Sequence, residues 1–324
     1  MLHFEPKELT VPEVHRLLLG GVAPRPIALV STLSADGILN LSPFSFFNAF
    51  GANPPIIAFS PARRGRDGSF KDTYSNLKAT GECVVQAVTY NMVEQINLAS
   101  AEFPPEVNEF DKSGLTPIKS DLVKPMRVKE SPFQMECILR DLLSYGNAGA
   151  SANIAICEVI KFHVDENILS NGIINPNKIE LVARMGGDFY TKAYGESIFE
   201  LHKPRSNVCI GFENLPDFIK NSGDFNSNEL AKLAGAASIP SKETVESFVN
   251  EFKKVDFIDD NISLKLLEEF YIQKNHHKMF QAILALSESH TIKVKDQLKL
   301  CAKLALANND IDFAWKILIY NSLR

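Results

Sequence analysis

The chain has 324 residues, of which 45% are hydrophobic and 23% charged, and a net charge of −5. This is ordinary globular usage, which excludes an intrinsically disordered chain. A mildly acidic chain whose one dense basic cluster is Arg63-Arg64-Gly65-Arg66 is also a poor match for nucleic-acid binding by phosphate neutralisation.

In chain order, residues 10–19 read as a helix. Val11, Val14, Leu17 and Leu18 fall at helical spacing, Pro12 sits in the first turn and Gly20-Gly21 ends it. Ile27–Leu33 and Ile38–Leu41 read as a hairpin across Asp36-Gly37. Strands follow at 56–60 and 82–89, with a polar loop at 61–70 between them, and 91–100 can form a helix. Residues 101–132 carry five prolines and read as a long loop, able to cover a pocket or embrace a neighbouring subunit. Two β-rich segments, 133–143 and 152–164, come next, and 179–184 reads as a short strand. Strands of unequal length with few helices between them predict an antiparallel barrel or sandwich rather than a doubly wound sheet.

Beyond residue 212 the pattern changes. Val245, Phe248, Val249 and Phe252 share one helical face, and helices are predicted near 263–275, 277–288, 293–308 and 311–322. Of 17 glycines and 17 prolines, fifteen of each precede residue 213, and none lies between 241 and 324. Both residues punctuate turns and weaken helices, so the step predicts a boundary between a region 1–212 and a helical extension 213–324.

No apolar run reaches the ~18 residues of a membrane span, and Met1–Pro6 has no signal-peptide character, so a cytoplasmic chain is expected. Cys83, Cys137, Cys157, Cys209 and Cys301 are odd in number, scattered and flanked by apolar residues. They predict buried free thiols. Phosphate-loop, dinucleotide, zinc-protease and nucleophile-elbow motifs are missing. His276-His277 is expected to be a solvated helix end and not a metal site, because adjacent helix positions do not share a face.

The informative blocks lie between 23 and 89. They are Ala23-Pro24-Arg25-Pro26-Ile27-Ala28-Leu29-Val30-Ser31-Thr32, Asn40-Leu41-Ser42-Pro43-Phe44-Ser45-Phe46-Phe47-Asn48, Pro54–Ser60, Lys71-Asp72-Thr73-Tyr74-Ser75-Asn76 and Gly81–Val85. With Glu109-Phe110, Gly114-Leu115, Ser131-Pro132 and Ala183–Tyr190, they stand in the order and at the separations seen in the flavin reductase-like family, which this chain resembles over roughly residues 8–205. The resemblance implies an antiparallel FMN-binding split β-barrel; the all-α C-terminal region, read above from periodicity, lies outside it, and together they give a mainly β plus α fold class. It implies FMN as cofactor, with FAD as the alternative, NAD(P)H as co-substrate, and a homodimer with flavin sites near the subunit interface. A protein electron acceptor is a further expected partner; nucleic acid and membrane are not.

The residues support a flavin phosphate site. Asp72 is expected to cap a short helix over 73–79, whose free N–H groups, with the Lys71 ammonium and the Thr73 hydroxyl, suit a dianion. Ser60 and Arg63 or Arg64 can add donors. An ordinary capped helix beside a solvated basic loop is the competing reading. Ser42–Asn48 is read as a loop in which Pro43 interrupts pairing. Ser42, Ser45 and Asn48 can serve the polar edge of the flavin ring, while Phe46 and Phe47 either cover it or belong to the core. Arg25 lies between two prolines at a position the resemblance puts near the cofactor, with a structural salt bridge as its alternative. Arg184 and Tyr190 are weaker candidates. No catalytic side chain is expected, because in flavin reduction the cofactor carries the redox chemistry. An electron carrier without nicotinamide turnover is the alternative function. The helical extension is expected to cap the barrel or its dimer partner, with docking of a partner enzyme as the competing role.

Overall fold

A computed structural model describes residues 1–201, 208–253, 264–288 and 293–324. The chain divides into two compact units, Met1–Glu200 and Leu201–Arg324. The division falls upstream of the compositional step at 212/213. Ile210 and Gly211 donate their N–H groups to Ala236 and Ala234, and Leu215 is buried in the helical core. The segment just before 213 is therefore held by helical partners.

The first unit opens on α1 (Val11–Gly21), whose Thr10–Glu13 capping box satisfies first-turn donors. β1 (Ala28–Leu33) and β2 (Leu39–Phe44) form the expected hairpin, with Ala28 opposite Phe44 and Leu33 opposite Leu39. Pro43 does not interrupt it. Pro43 pairs opposite Leu29, which is tolerated because β2 is an edge strand and a missing N–H can face away from the ladder. The expected 42–48 loop is only a turn at Ser45-Phe46, since β3 (Phe47–Ala52) starts directly after it and pairs with β4 (Pro55–Phe59). Next come α2 (Asp72–Thr80), β5 (Glu82–Ala87), α3 (Val93–Ala99) and α4 (Glu109–Ser113). The expected 101–132 loop thus holds α4 and a small hairpin of β6 (Pro117–Ile118) and β7 (Arg127–Val128). β8 (Phe133–Tyr145) and β9 (Ala152–Val164) are the two long strands. The unit closes with β10 (Leu169–Ser170), β11 (Ile173–Ile174), α5 (Pro176–Ile179), β12 (Val182–Arg184) and β13 (Tyr190–Lys192).

One seven-stranded antiparallel sheet runs in the order β2-β1-β5-β8-β9-β4-β3. One face of it encloses a core to which every strand contributes, including Val30, Phe44, Phe47, Phe59, Val85, Met135 and Cys157, plus Leu77 from α2. The two outer strands do not pair with each other, so the barrel stays split between β2 and β3. The alternate side chains Leu29 and Leu41 form a second core with Met92, Ile96 and Phe110 on the outer face. That layer makes β1 buried on both faces and places α4 behind β2.

The second unit contains α6 (Asp217–Lys220), α7 (Ser227–Ala234), α8 (Lys242–Lys253), α9 (Leu264–Ile272), α10 (His276–Glu288), α11 (Val294–Ala307) and α12 (Ile311–Ser322). The last five match the helices predicted from periodicity; α6 and α7 were not expected. Their apolar faces share one core around Phe280, Leu298, Cys301 and Trp315, whose indole N–H donates to the Leu233 carbonyl. No helix among the described residues is long and apolar enough to cross a membrane.

Two expectations are corrected here. His276 is not solvated. It is buried, with Nε2 3.1 Å from Asp310 Oδ2 and Nδ1 2.9 Å from the Asn308 amide nitrogen. That amide also donates to the Lys274 carbonyl, so Nδ1 must accept and the imidazole proton sits on Nε2, held by Asp310. Although adjacent in sequence, His276 and His277 have ring centroids 4.3 Å apart, and His277 Nε2 is 3.8 Å from the same Asp310 oxygen. The cluster ties the start of α10 to the start of α12. Among the cysteines, Cys83, Cys137, Cys157 and Cys301 are buried, but Cys209 is exposed, in a segment without regular structure ahead of the helical core.

Candidate functional site

The predicted residues gather around two points, the start of α2 and the turn between β2 and β3. At α2, the cap position belongs to Lys71 and not to Asp72, and no side chain caps the helix. Asp72 is the first helical residue, and its carboxylate instead pairs with Arg64 at 2.8 Å. Arg64 also donates to the Phe70 carbonyl. The loop between β4 and α2 is pinned against the β8–β9 connection, with Arg63 N–H on the Ser151 carbonyl and Ala150 N–H on the Arg63 carbonyl. Gly149 permits this approach: a Cβ there would lie 2.6 Å from the Gly65 carbonyl oxygen.

Three groups in this region lack the partners that burial normally demands. Lys71 is half-buried and forms no ion pair among the described residues. Burial, reinforced by the Arg64 guanidinium, holds its ammonium below the usual lysine range. The Ser60 hydroxyl and Arg63 Nε are both buried without a hydrogen-bond partner. Arg63 otherwise donates to the Gly68 carbonyl at 2.7 Å, and its guanidinium lies 3.8 Å from the centroid of Phe70, which stacks on Tyr74. The first N–H groups of α2 have no acceptor within the helix. A desolvated cation, two unsatisfied donors and a helix N-terminus form a donor set suited to an anion.

Thr73 does not add to that set through its side chain. It is fully buried, and its hydroxyl donates to Asn40 Oδ1 at 2.9 Å. A hydroxyl has one proton, so none is left for a phosphate, which only accepts. Asn40, Thr32, Asn76 and Glu109 complete this buried network; sequence reasoning assigned none of them to the site. Burial pushes the Glu109 carboxyl above its usual range, against the hydrogen bonds it accepts from Leu41 and Asn40.

At the second point, Arg25 is 4% exposed and forms no ion pair among the described residues. Its Nη1 donates to the Leu19 carbonyl at 2.7 Å and to that of Val22, Nη2 donates to the Met185 carbonyl at 2.9 Å, and Nε lies 3.4 Å from Ser45 Oγ. In place of the salt bridge weighed as the alternative, Arg25 meets backbone carbonyls at the end of α1 and at Met185. Arg25 thereby holds the turn that presents Ser45 and Phe46. Phe46 is more than a third exposed, and its carbonyl accepts from Ser60 N–H at 2.9 Å, which joins the turn to the orphaned hydroxyl. Ser42 lies within β2, opposite Val30.

Phe47 and Asn48 leave this group. They line an apolar cavity of 420 Å³ with Pro26, Ile57, Met135 and Phe162. Asn48 Oδ1 is engaged locally by the Ala49 N–H. Arg184 pairs with the Tyr190 hydroxyl and the Gly187 carbonyl, and its backbone bridges to that of Arg25.

A split seven-stranded antiparallel barrel with this cluster on it defines the class of protein, and comparison with known sequences bears it out. The flavin reductase like domain model matches residues 20–179. An uncharacterized protein of Aquifex aeolicus is 40% identical over 196 residues, spanning 60% of this chain and 97% of its own length. The crystal structure of nitrilotriacetate monooxygenase component B from Bacillus cereus is 36% identical, with a TM-score of 0.58, covering 62% of this chain and 98% of its own. A split barrel domain protein from Shewanella frigidimarina, 24% identical with a TM-score of 0.53 over 63% of this chain and 100% of its own, shares the fold. The chain belongs to the flavin reductase-like family and is related to flavin-binding oxidoreductases. Its helical unit lies beyond the matched domain.

Proposed function

We propose that the first unit binds FMN and works as an oxidoreductase of the NAD(P)H:flavin reductase type, passing hydride to flavin N5 for delivery to a downstream acceptor. Lys71 carries this reading: a partly desolvated ammonium that forms no ion pair among the described residues, set at the N-terminus of a helix, is suited to an anion. Lys71 and the α2 N–H groups would hold the phosphate, with Ser60 and Arg63 as added donors. Ser42, Ser45 and Phe46 would face the flavin ring. The bound flavin supplies the redox chemistry; these side chains bind and orient it.

In this reading the unit acts as a homodimer. The support is the edge strand β3, exposed after Phe47 with Phe50 at 69%, beside the open apolar cavity. The name of the Bacillus cereus relative, a monooxygenase component, supports a protein as electron acceptor. The helical unit has a core of its own and no counterpart in the Aquifex relative, which favours a partner-docking module over a cap.

Anaerobic mixing of the FMN-loaded protein with NADH or NADPH tests the activity. The flavin's visible absorption is expected to bleach with at least one of them. Stable FMN binding without bleaching by either would overturn the reductase and leave the electron carrier. Failure to bind FMN would overturn both.

A further inference from the structure

Five polar side chains are buried together directly behind the start of α2: Thr32, Asn40, Thr73, Asn76 and Glu109. Isolated, each would cost free energy; here every one has a partner. Glu109 Oε1 accepts from Asn40 Nδ2 at 3.0 Å, and Oε2 from Leu41 N–H at 3.0 Å. Asn40 Oδ1 accepts from the Thr73 hydroxyl at 2.9 Å and from that of Thr32 at 3.0 Å. Thr32 in turn accepts from Asn76 Nδ2 at 3.0 Å. The chain of bonds links α4, β2, β1 and two turns of α2.

The direction of these bonds is set at one end. Both Glu109 oxygens accept from N–H groups, so the carboxylate can only meet the nitrogen of the Asn40 amide. The Asn40 oxygen must then face Thr32 and Thr73, and the Thr73 proton must point inward. Thr73 is the second residue of α2, in the turn whose free N–H groups face the candidate anion site. A lateral shift of that turn would break the Thr73 bond and leave Asn40 Oδ1 with one donor.

We propose that Glu109 and Asn40 are positioning residues for flavin phosphate binding, acting through Thr73 to fix the first turn of α2 beneath Lys71. The proposal rests on the FMN reading above and replaces the direct role expected of the Thr73 hydroxyl. Glu109 reaches the site from a segment 69 residues away from Asn40 in sequence, so the long connection between α3 and β8 is part of the binding apparatus and not merely a cover.

The test uses full-length Glu109→Gln and Thr73→Val proteins, with FMN and riboflavin as probes, each titrated by flavin fluorescence. Riboflavin lacks the phosphate and reports only on the ring site. Glutamine offers one oxygen where two N–H groups need acceptors, and valine keeps the threonine shape without the donor. In both variants FMN affinity should fall about tenfold while riboflavin affinity stays at the wild-type value. If Glu109→Gln does not fold, the isosteric Thr73→Val protein carries the test. An unchanged FMN-to-riboflavin ratio, whether both affinities hold or both fall, overturns the positioning role. A wild-type protein that binds riboflavin as tightly as FMN overturns the phosphate reading itself, and the proposal with it.

Discussion

The two units solve the problem of a stable interior differently. Among the described residues of the barrel unit, buried polar or charged side chains include Arg25, Asn40, Gln86, Glu109, Gln134, Glu136 and Asn153; in the helical unit they are His276 and Asn321. The helical interior is held by apolar area and ring packing, with Phe280 lying against Phe248, Phe252 and Phe313 at centroid distances of 5.3 to 5.6 Å. The barrel interior adds fully bonded polar networks, which specify geometry but destabilise strongly when half-broken. The unit with costly polar interiors also bears the candidate anion site. Precise placement of donors is what such a site requires and what an apolar core does not supply.

The sharpest way to probe this contrast is to damage one interior and watch the other. Phe280 is fully buried, and Phe280→Ala should cost about 3–5 kcal/mol through lost burial and a cavity. Trp315 is the single tryptophan of the chain, so denaturation followed by its fluorescence reports on the helical unit. The expected result is an earlier tryptophan transition with FMN affinity unchanged. Loss of FMN binding in parallel would show that the two interiors are not independent.

The same contrast explains what the sequence made legible. Strands β1, β2, β4, β5, β8 and β9 and helices α8 to α12 follow their apolar periods, because packing on one face imposes a period of 2 or 3.6. β3 had no such signal, since every residue after Phe47 is exposed and no alternation marks it. The short α6 and α7 gave too few turns to read. Lys71 and the 45–46 turn stood out through block resemblance and Ser60 and Arg63 as nearby donors; the structure sets the first, with Ser60 and Arg63, at the start of α2, and the Phe46 carbonyl of the turn accepts from Ser60 N–H. The hydrogen-bond partners of Asp72, Thr73 and Arg25 were not legible for one reason: the partner that claims each side chain is set by the fold. Arg64 takes Asp72, Asn40 takes Thr73 across 33 residues, and the carbonyl of Met185 takes Arg25 across 160. Apolar burial is written locally, whereas hydrogen-bond partners are not.

A second test strikes a polar interior. Glu136 is fully buried, and its two oxygens accept from the N–H groups of Asp121, Leu122 and Val123 and from His163 Nε2 at 2.7 Å. Glu136→Gln leaves an NH2 group facing some of these donors and should cost about 2–3 kcal/mol. Burial alone would raise the Glu136 carboxyl, but the bonds from Asp121, Leu122, His163 and Val123 outweigh it and the net direction is down. A lowered folded value means that the stabilisation is complete above the unfolded carboxylate range. It disappears as pH falls through the lower folded value. The stability gap between wild type and variant, read by chemical denaturation of the barrel, should therefore shrink in acid. A gap that widens in acid would contradict the assignment.

The smallest effect belongs to a polar contact of the helical unit that lies on its surface. Asn226 Oδ1 accepts from Glu229 N–H at 3.0 Å, and Glu229 Oε2 accepts from Asn226 N–H at 2.8 Å, a capping box at the start of α7. Both residues border solvent, so water can replace part of what Asn226→Ala removes. The expected loss is about 1 kcal/mol, seen as a small shift of the Trp315 transition. A loss as large as that of Glu136→Gln would mean that polar contacts matter as much to the helical unit as to the barrel. A small one fits a contact at the surface, where water can stand in for a missing partner as it cannot in the buried barrel networks.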